Sequence, residues 1–215
     1  MAAVITALKR SKKRYRLNVY LDGVYSFSLT RKLGYELEVG QILSDEQIAN
    51  LKLKDVEEET YKRAFRLLSR RPRSEFELRT NFKRHKVPSE AQESALYRLR
   101  AAGLVDDLAF AETWVENRLA FRPRSALALR IELRKKGVPK ETIDEVLEEY
   151  DDEHAAYRAA RKAAHRWKSS NWSEFKHRVG AYLARRGFYY TMISPVVERV
   201  WQETTGVREE SEVSK

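Results

Sequence analysis

A repeated tetrapeptide constrains the fold of this chain more than any other feature of its sequence. Arg-Pro-Arg-Ser occurs at residues 71–74 and again at residues 122–125, which is 51 positions later. Three apolar positions and a proline follow both copies at the same offset, and an internal repeat explains this better than chance similarity of helices. The matched pairs are Leu78 with Leu129, Phe82 with Leu133, Val87 with Val138, and Pro88 with Pro139.

A fainter third copy follows the second at an offset of 50 residues, without the Arg-Pro-Arg-Ser element. Its matches to the second copy are Leu129 with Val179, Leu133 with Leu183, Gly137 with Gly187, Val138 with Phe188, and Ile143 with Ile193. A chain of 215 residues therefore holds three tandem repeats and an N-terminal segment that does not repeat.

Each repeat is predicted to contain three helices. In the second copy a first helix at 107–121 and a second at 125–136 are separated by Pro123. Gly137 followed by an apolar residue is typical of a left-handed helix end, and the proline after it suits the start of a third helix. Tandem three-helix repeats of about 50 residues predict a mostly α protein whose repeats stack into an elongated, solenoid-like array.

The N-terminal segment is predicted to form β-strands. Apolar alternation indicates strands at 15–21 and 25–29 around an Asp-Gly turn at 22–23, and residues 4–8 add a third. A strict two-residue loop would misalign the apolar residues, so we expect a three-residue loop or a β-bulge. The basic run at 9–14 is either a solvated turn or a basic finger. The residues expected on one buried face are Val19, Leu21, Tyr25 and Phe27.

The helical part is predicted to begin after Ser44, and residues 33–43 link it to the strands. Ser44 and Asp55 each begin a capping-box pattern, which predicts two helices at 45–54 and 56–70 or one helix with a break. The predicted organisation is an N-terminal β-rich segment at 1–43, leading helices at 44–70, repeats at 56–105, 106–152 and 153–205, and a flexible tail at 206–215.

Composition narrows the classes of function. The chain has 42 Lys and Arg against 32 Asp and Glu, and the net charge of +10 favours a polyanionic partner. It has no cysteine, which excludes disulfides, thiolate metal sites and a cysteine nucleophile, and fits the cytoplasm. No apolar stretch approaches the ~20 residues that a membrane helix needs, so no membrane contact is expected.

The charge is sorted by position within the repeat. Residues 72–86, 122–137 and 173–187, around the middle helices, carry net charges of +3, +5 and +3, whereas residues 140–153 carry −7. Because the apolar i,i+4 pairs of the middle helices should turn inward, the basic residues should point outward. They form either one basic stripe that binds a periodic polyanion or ordinary solvated faces with local ion pairs.

Residues that would carry catalysis are sparse. The chain has no glycine-rich phosphate loop and no His-x-x-x-His pair. The carboxylate pairs at 106–107 and 151–152 are helix caps or, in the alternative, metal ligands of a nuclease. Trp114 and Trp201 are predicted to lie in the core, whereas Trp172 either packs at a helix start or stacks on a base.

Three stretches resemble the RecX family in that family's order and spacing. They are Leu-Leu-Ser-Arg-Arg-Pro-Arg-Ser-Glu-x-Glu-Leu-Arg at 67–79, Gly-Leu-Val-Asp-Asp-Leu-Ala-Phe-Ala at 103–111, and Glu-Leu-Arg-Lys-Lys-Gly-Val-Pro at 132–139. The resemblance covers roughly residues 56–205. It implies tandem three-helix repeats and a non-enzymatic modulator of the recombinase RecA that needs no cofactor or metal. We expect the chain to be a monomer.

The resemblance also implies binding to RecA and to its filament on single-stranded DNA, with inhibition of ATP hydrolysis and strand exchange. Some members of the family bind single-stranded or double-stranded DNA directly. Two alternatives stay open: a DNA-binding helical protein that acts without RecA, and a repair enzyme that uses the carboxylate pairs. The implied basic contact surface maps onto Arg71, Arg73, Arg79, Arg84, Arg122, Arg124, Arg130, Arg134, Lys135, Lys136, Arg185 and Arg186.

Overall fold

The computed structural model describes residues 2–12, 15–167 and 170–212. The chain divides into two compact units, residues 1–106 and residues 107–215. The first unit holds a small antiparallel sheet and helices, and the regular elements in the described part of the second are all helices. The predicted fold class, mostly α with a small N-terminal sheet, is therefore confirmed.

Four strands form the N-terminal sheet. They are β1 (Ala2–Arg10), β2 (Arg16–Leu21), β3 (Val24–Thr30) and β4 (Ile42–Ser44). Their order is β3-β2-β1-β4, and neighbouring strands are antiparallel. The predicted third strand is confirmed as β1, and β4 lies in the segment expected to be a linker. The basic run at 9–14 begins inside β1, and its residues 13 and 14 lie outside the described part of the chain.

A two-residue turn and a β-bulge together set the register of the β2–β3 hairpin. Leu21 pairs with Val24 across the Asp-Gly turn at 22–23, whose φ angles of 49° and 84° suit a tight hairpin turn. The register then shifts, so that Val19 lies opposite Phe27. The expected bulge is therefore confirmed, and it brings the apolar residues of both strands to one face.

Tyr25 departs from the predicted buried face and is exposed. The bulge pairs Tyr25 with Tyr20, which points away from the core because it neighbours the buried Val19 along the strand. The two tyrosine rings lie edge to face on the outer side of the sheet, with centroids 5.9 Å apart. The prediction for Tyr25 was wrong because the extra residue of the bulge lies between Tyr25 and Phe27.

A short helix, α1 (Arg31–Gly34), and one long helix, α2 (Asp45–Leu68), follow β3. Ser44 caps α2 through the predicted capping box with Gln47, in which each side chain accepts a hydrogen bond from the backbone N–H of the other residue. The helix then continues for 24 residues without the expected division.

The expectation of a helix start or break at Asp55 is wrong. The Asp55 carboxylate is buried and accepts hydrogen bonds from the Arg16 guanidinium at 2.5 Å and from the Thr30 backbone N–H at 2.7 Å. Both partners belong to the sheet, so Asp55 joins α2 to the strands instead of capping a helix. A capping pattern in the sequence does not reveal such distant partners.

Three sets of three helices confirm the repeat. The first set is the C-terminal part of α2 with α3 (Glu75–Arg84) and α4 (Ser89–Ala101), the second is α5 (Asp107–Phe121), α6 (Ala126–Lys135) and α7 (Lys140–Leu147), and the third is α8 (Asp152–Ala164), α9 (Trp172–Ala184) and α10 (Tyr190–Glu212). The apolar pairs of the middle helices are buried as predicted. They are Leu78 and Phe82, Leu129 and Leu133, and Val179 and Leu183.

The middle helices end in a left-handed residue, as the sequence predicts for the second copy. Gly137 and Gly187 have φ angles of 74° and 87° at the ends of α6 and α9. The Val138 N–H then bonds the Leu133 carbonyl at 3.2 Å, which satisfies an end of the helix. In the first copy Lys86 holds this place with φ 53°, in a region that favours glycine.

Tryptophans pack against the helical cores of the second unit, and the C-terminal segment is helical. Trp114 and Trp201 are partly buried against the helical cores, as predicted. Trp172 is the first residue of α9, and its ring lies 5.6 Å from that of Trp201. Helix α10 runs to Glu212, so the tail expected at 206–215 begins within a helix, and residues 213–215 lie outside the described range.

Within the described residues, no helix is both long enough and apolar enough to cross a membrane.

Candidate functional site

The twelve cations expected to form a contact surface fall into two groups. Seven are held within their own unit by an ion pair, a hydrogen bond or an aromatic ring, and they are Arg71, Arg73, Arg79, Arg124, Arg130, Lys136 and Arg186. The other five are exposed and make no ion pair with any described residue. These five, called the exposed cations below, are Arg84, Arg122, Arg134, Lys135 and Arg185.

In the first unit, two of the held arginines bind carboxylates of α3 and α4. Arg79 on α3 donates to Glu75 at 2.8 Å and to Glu93 on α4 at 2.9 Å. The hydrogen bonds raise the pKa of Arg79, chiefly through Glu93, and lower the pKa of Glu93. Arg71 grips Glu77 with two hydrogen bonds, of 2.8 and 3.1 Å. These side chains therefore have roles inside the protein.

In the second unit, ion pairs join α5, α6 and α7 and cancel part of the charge around α6. Glu132 of α6 accepts a hydrogen bond from Arg118 of α5 at 2.7 Å and forms an ion pair with Arg124 at 2.9 Å. Arg130 is paired with Asp144 on the acidic helix α7. The charge that the sequence sorts by helix is thus partly cancelled between neighbouring helices, so the net charge of α6 overstates what it offers a partner.

Two more of the held cations lie on aromatic rings. The Arg186 guanidinium lies 3.6 Å from the centre of the Tyr182 ring, and the Lys136 ammonium lies 4.9 Å from that of Trp114. Burial lowers the pKa of Arg186, and its Nε finds no hydrogen-bond partner among the described residues. Arg186 is therefore part of the packing of α9.

The Arg-Pro-Arg-Ser element has a structural role in both copies. Ser74 and Ser125 are buried and cap α3 and α6, where their hydroxyls accept the N–H of Glu77 at 3.2 Å and of Ala128 at 3.1 Å. Each proline lies two residues before its cap and prevents the preceding helix from continuing. The element therefore forms a fixed corner between the first and second helices of a set. Repetition of the element therefore reflects repetition of the fold.

In the second unit this corner also forms hydrogen bonds with the segment that begins the third set of helices. The Tyr150 hydroxyl donates to the Arg124 carbonyl at 2.7 Å, and Asp152 accepts the Ala126 N–H at 2.6 Å. Burial raises the pKa of Asp152, and burial with the nearby Asp152 charge raises the pKa of Tyr150 to about 12. Asp151 caps α8. One predicted carboxylate pair therefore serves the fold.

An apolar pair on the outward side of α6 was missed at the sequence level. Leu127 and Ile131 are 43% and 47% exposed, opposite the buried pair of the same helix. Arg134 and Lys135 lie one turn further on, and these four residues are called the α6 outer face below. The i,i+4 spacing of the two apolar residues was the available signal. Phe76, at the place matching Leu127 in the first copy, is also exposed.

Comparisons with known proteins match each of the three repeats to a domain of one family. Family models of the first, second and third three-helix domains of RecX match residues 61–99, 106–147 and 151–197. Regulatory protein RecX of Levilactobacillus brevis is 30% identical over 191 residues, which cover 86% of this chain and 72% of that protein. Regulatory protein RecX of Geobacillus kaustophilus is 30% identical over 202 residues, covering 91% and 75%. A crystal structure of regulatory protein RecX has 26% identity and a TM-score of 0.67, covering 91% of this chain and 99% of that chain.

Proposed function

Because this chain belongs to the RecX family of regulatory proteins, we propose that it regulates the recombinase RecA. It binds RecA and the filament that RecA forms on single-stranded DNA, and it lowers the rates of ATP hydrolysis and strand exchange. It acts as a monomer in the cytoplasm and catalyses no reaction of its own. Family membership, through all three domains, is the observation that carries this proposal.

The α6 outer face supports contact with a protein. Its two exposed aliphatic side chains beside two cations suit a partner surface that offers apolar groups and carboxylates. A phosphate backbone would engage Arg134 and Lys135 and would leave Leu127 and Ile131 without a matching partner. The face therefore favours RecA over naked DNA as the group bound at this place.

The repeat supports binding to a periodic partner. Arg84 in the first unit occupies the position that matches Lys135 in the second, and both belong to the exposed cations. Weak contacts at matched positions of successive domains combine into avidity when the partner also repeats. If the chain binds the inactive or dissociating form of the filament better than the active form, it shifts the filament toward that form.

RecA-catalysed ATP hydrolysis on single-stranded DNA, with this protein titrated in, tests the proposal. We expect hydrolysis to fall, and an unchanged rate at micromolar excess would contradict the proposal. Arg134→Ala should raise the concentration for half-inhibition about fivefold, since a charged contact at an interface contributes on the order of 1 kcal/mol. Lys140→Ala is the matched control, because it removes one exposed cation from the acidic helix α7.

The held arginines are poor choices for this test. Replacing Arg124 or Arg130 would remove its ion pair with Glu132 or Asp144, so it would change contacts inside the second unit together with the surface charge.

A DNA-binding protein that acts without RecA is the second candidate, and the exposed cations and the net charge of +10 favour it. Such a protein would inhibit RecA only by occupying DNA. Additional single-stranded DNA would then relieve the inhibition, whereas inhibition through contact with RecA would persist. Binding to naked duplex DNA with a steep salt dependence and a preference for base sequence would support this second candidate.

A further inference from the structure

A cleft in the first unit carries cations and aromatic rings that the proposed function leaves unused. It lies between the N-terminal sheet and α2 and has a volume of about 830 Å³. Its lining residues come from positions 15–16, from positions 31–32 in α1, and from five positions of α2 between 59 and 66. The Asp55 carboxylate, which bonds both Arg16 and Thr30, fixes the sheet against α2 beside this cleft. The cleft is therefore preformed.

The charge of the cleft is strongly positive. Five cations and one carboxylate line it. Arg16 is neutralised by Asp55 at 2.5 Å and by Glu59 at 3.4 Å. The other four lining cations make no ion pair with any residue that the structure describes, and they call for an anion with several charges. These four, the cleft cations, are Arg31, Lys32, Lys62 and Arg66.

Two aromatic rings are exposed among these cations. The Tyr15 side chain is 56% exposed and the Phe65 side chain 49% exposed. The Arg31 guanidinium lies 5.9 Å from the centre of the Tyr15 ring, and the Arg31 backbone N–H bonds the Tyr15 carbonyl at 3.0 Å. Since Phe65 lies on α2, the rings are presented from both sides of the cleft. Exposed rings beside cations are the elements that bind a base and its phosphate together.

We propose that this cleft binds single-stranded nucleic acid. Bases stack on Phe65 and Tyr15, and the cleft cations contact the phosphates. A duplex does not satisfy the site, because its paired bases keep their faces stacked on one another. The site belongs to the first unit, whereas the α6 outer face belongs to the second, and occupation of the site requires no RecA.

Fluorescence anisotropy of a labelled oligothymidine of about 15 nucleotides, with the full chain at low salt and without RecA, tests the aromatic part of this proposal. Phe65→Ala should weaken binding at least fivefold, because a base loses the aromatic ring on which it stacks. Phe76→Ala is the matched control, since Phe76 is 50% exposed and lies on α3 outside the cleft. Its affinity should stay within about twofold of the unaltered chain.

The charged part is tested by the dependence of binding on salt. Lys62→Ala should lower the slope of log affinity against log salt by about 0.7, as expected for one phosphate contact on a single strand. Lys54→Ala, at an exposed position of the same helix outside the cleft, should leave that slope nearly unchanged. Circular dichroism of each variant verifies that its fold is intact.

Three results would overturn the proposal: no binding at low salt, equal effects of Phe65→Ala and Phe76→Ala, or equal affinity for a duplex of the same length. None of them bears on inhibition of RecA, which is measured separately.

Discussion

Gly187 and Ser125 approach so closely that a β-carbon on Gly187 would lie 2.6 Å from the Ser125 hydroxyl oxygen. Ser125 caps α6, and Gly187 follows α9 with a φ of 87°, so the contact joins the second three-helix domain to the third. The Ser125 N–H also bonds the Arg186 carbonyl at 3.1 Å. Glycine is thus required at 187 by its backbone angle and by the lack of space.

Gly187→Ala should lower the free energy of unfolding of the second unit by about 2–4 kcal/mol. The left-handed backbone contributes roughly 1–2 kcal/mol of strain, and the clash with Ser125 contributes the rest. All four tryptophans lie within residues 107–215, so urea unfolding followed by tryptophan fluorescence reports on this unit.

Two controls separate the clash from the backbone strain. In a Ser125→Gly background, which keeps a tolerated helix cap, Gly187→Ala should be less destabilising by about 1 kcal/mol or more. Gly103→Ala, at φ 65° in the first unit with no atom within 4 Å of its β-carbon, should show the strain alone in the part of the far-ultraviolet circular dichroism transition that tryptophan fluorescence does not report. Additive effects of the two substitutions at Ser125 and Gly187 would refute the clash.

Tyr150→Phe should lower stability by about 1 kcal/mol at pH 8, because it removes the hydrogen bond to the Arg124 carbonyl. The pKa of Tyr150 is raised to about 12 in the folded chain, from about 10 when unfolded. The stabilisation is therefore complete below pH 10 and is lost as the pH rises toward 12. Urea unfolding of both proteins at pH 8 and pH 11 measures the difference, and a constant difference would contradict this assignment.

Asp152→Ala should destabilise the second unit by about 1–3 kcal/mol, since the Ala126 N–H loses its acceptor. Asp152→Asn keeps an acceptor oxygen and should change stability by less than about 1 kcal/mol. Because burial raises the pKa of Asp152, its ionisation in the folded chain is unfavourable. The Asn variant should therefore gain stability relative to Asp152 as the pH rises from 3 to 7, which denaturant unfolding at both values measures.

Lys86→Gly should stabilise the first unit by about 0.5–1 kcal/mol, because Lys86 holds a left-handed φ of 53° where the other copies have glycine. Lys83→Gly, the same substitution inside α3, should destabilise it by a similar amount. Far-ultraviolet circular dichroism reports on both units and tryptophan fluorescence on the second alone, so the part of the circular dichroism transition that fluorescence does not report measures the first unit. Destabilisation by Lys86→Gly would show that its backbone is unstrained.

Ile131→Ala should raise the concentration for half-inhibition of RecA about tenfold, if the α6 outer face is the contact, because burying the removed carbons contributes ~1–2 kcal/mol. Val39→Ala is the control, as it truncates an exposed aliphatic side chain of the first unit. Inhibition of RecA ATP hydrolysis measures both. Equal potency of the two variants would remove the α6 outer face from the proposed contact.

The sequence by itself determined the helices and their repetition. Ser44, Ser125 and Gly137 act through neighbours three to five residues away, so their caps and helix ends are legible in the order of residues. The buried pair Leu129 and Leu133 follows from helical periodicity for the same reason. The tandem repeat and the family resemblance rest on such local patterns.

Only the tertiary structure decided which charged groups are available to a partner. Arg130 and Arg134 lie one turn apart on α6, yet Asp144 of α7 neutralises the first, and no described residue pairs with the second. Asp55 matched a cap in sequence and instead bonds Arg16, 39 residues away. Ion pairs and buried hydrogen bonds join residues distant along the chain, and packing alone brings them within the few ångströms over which they act.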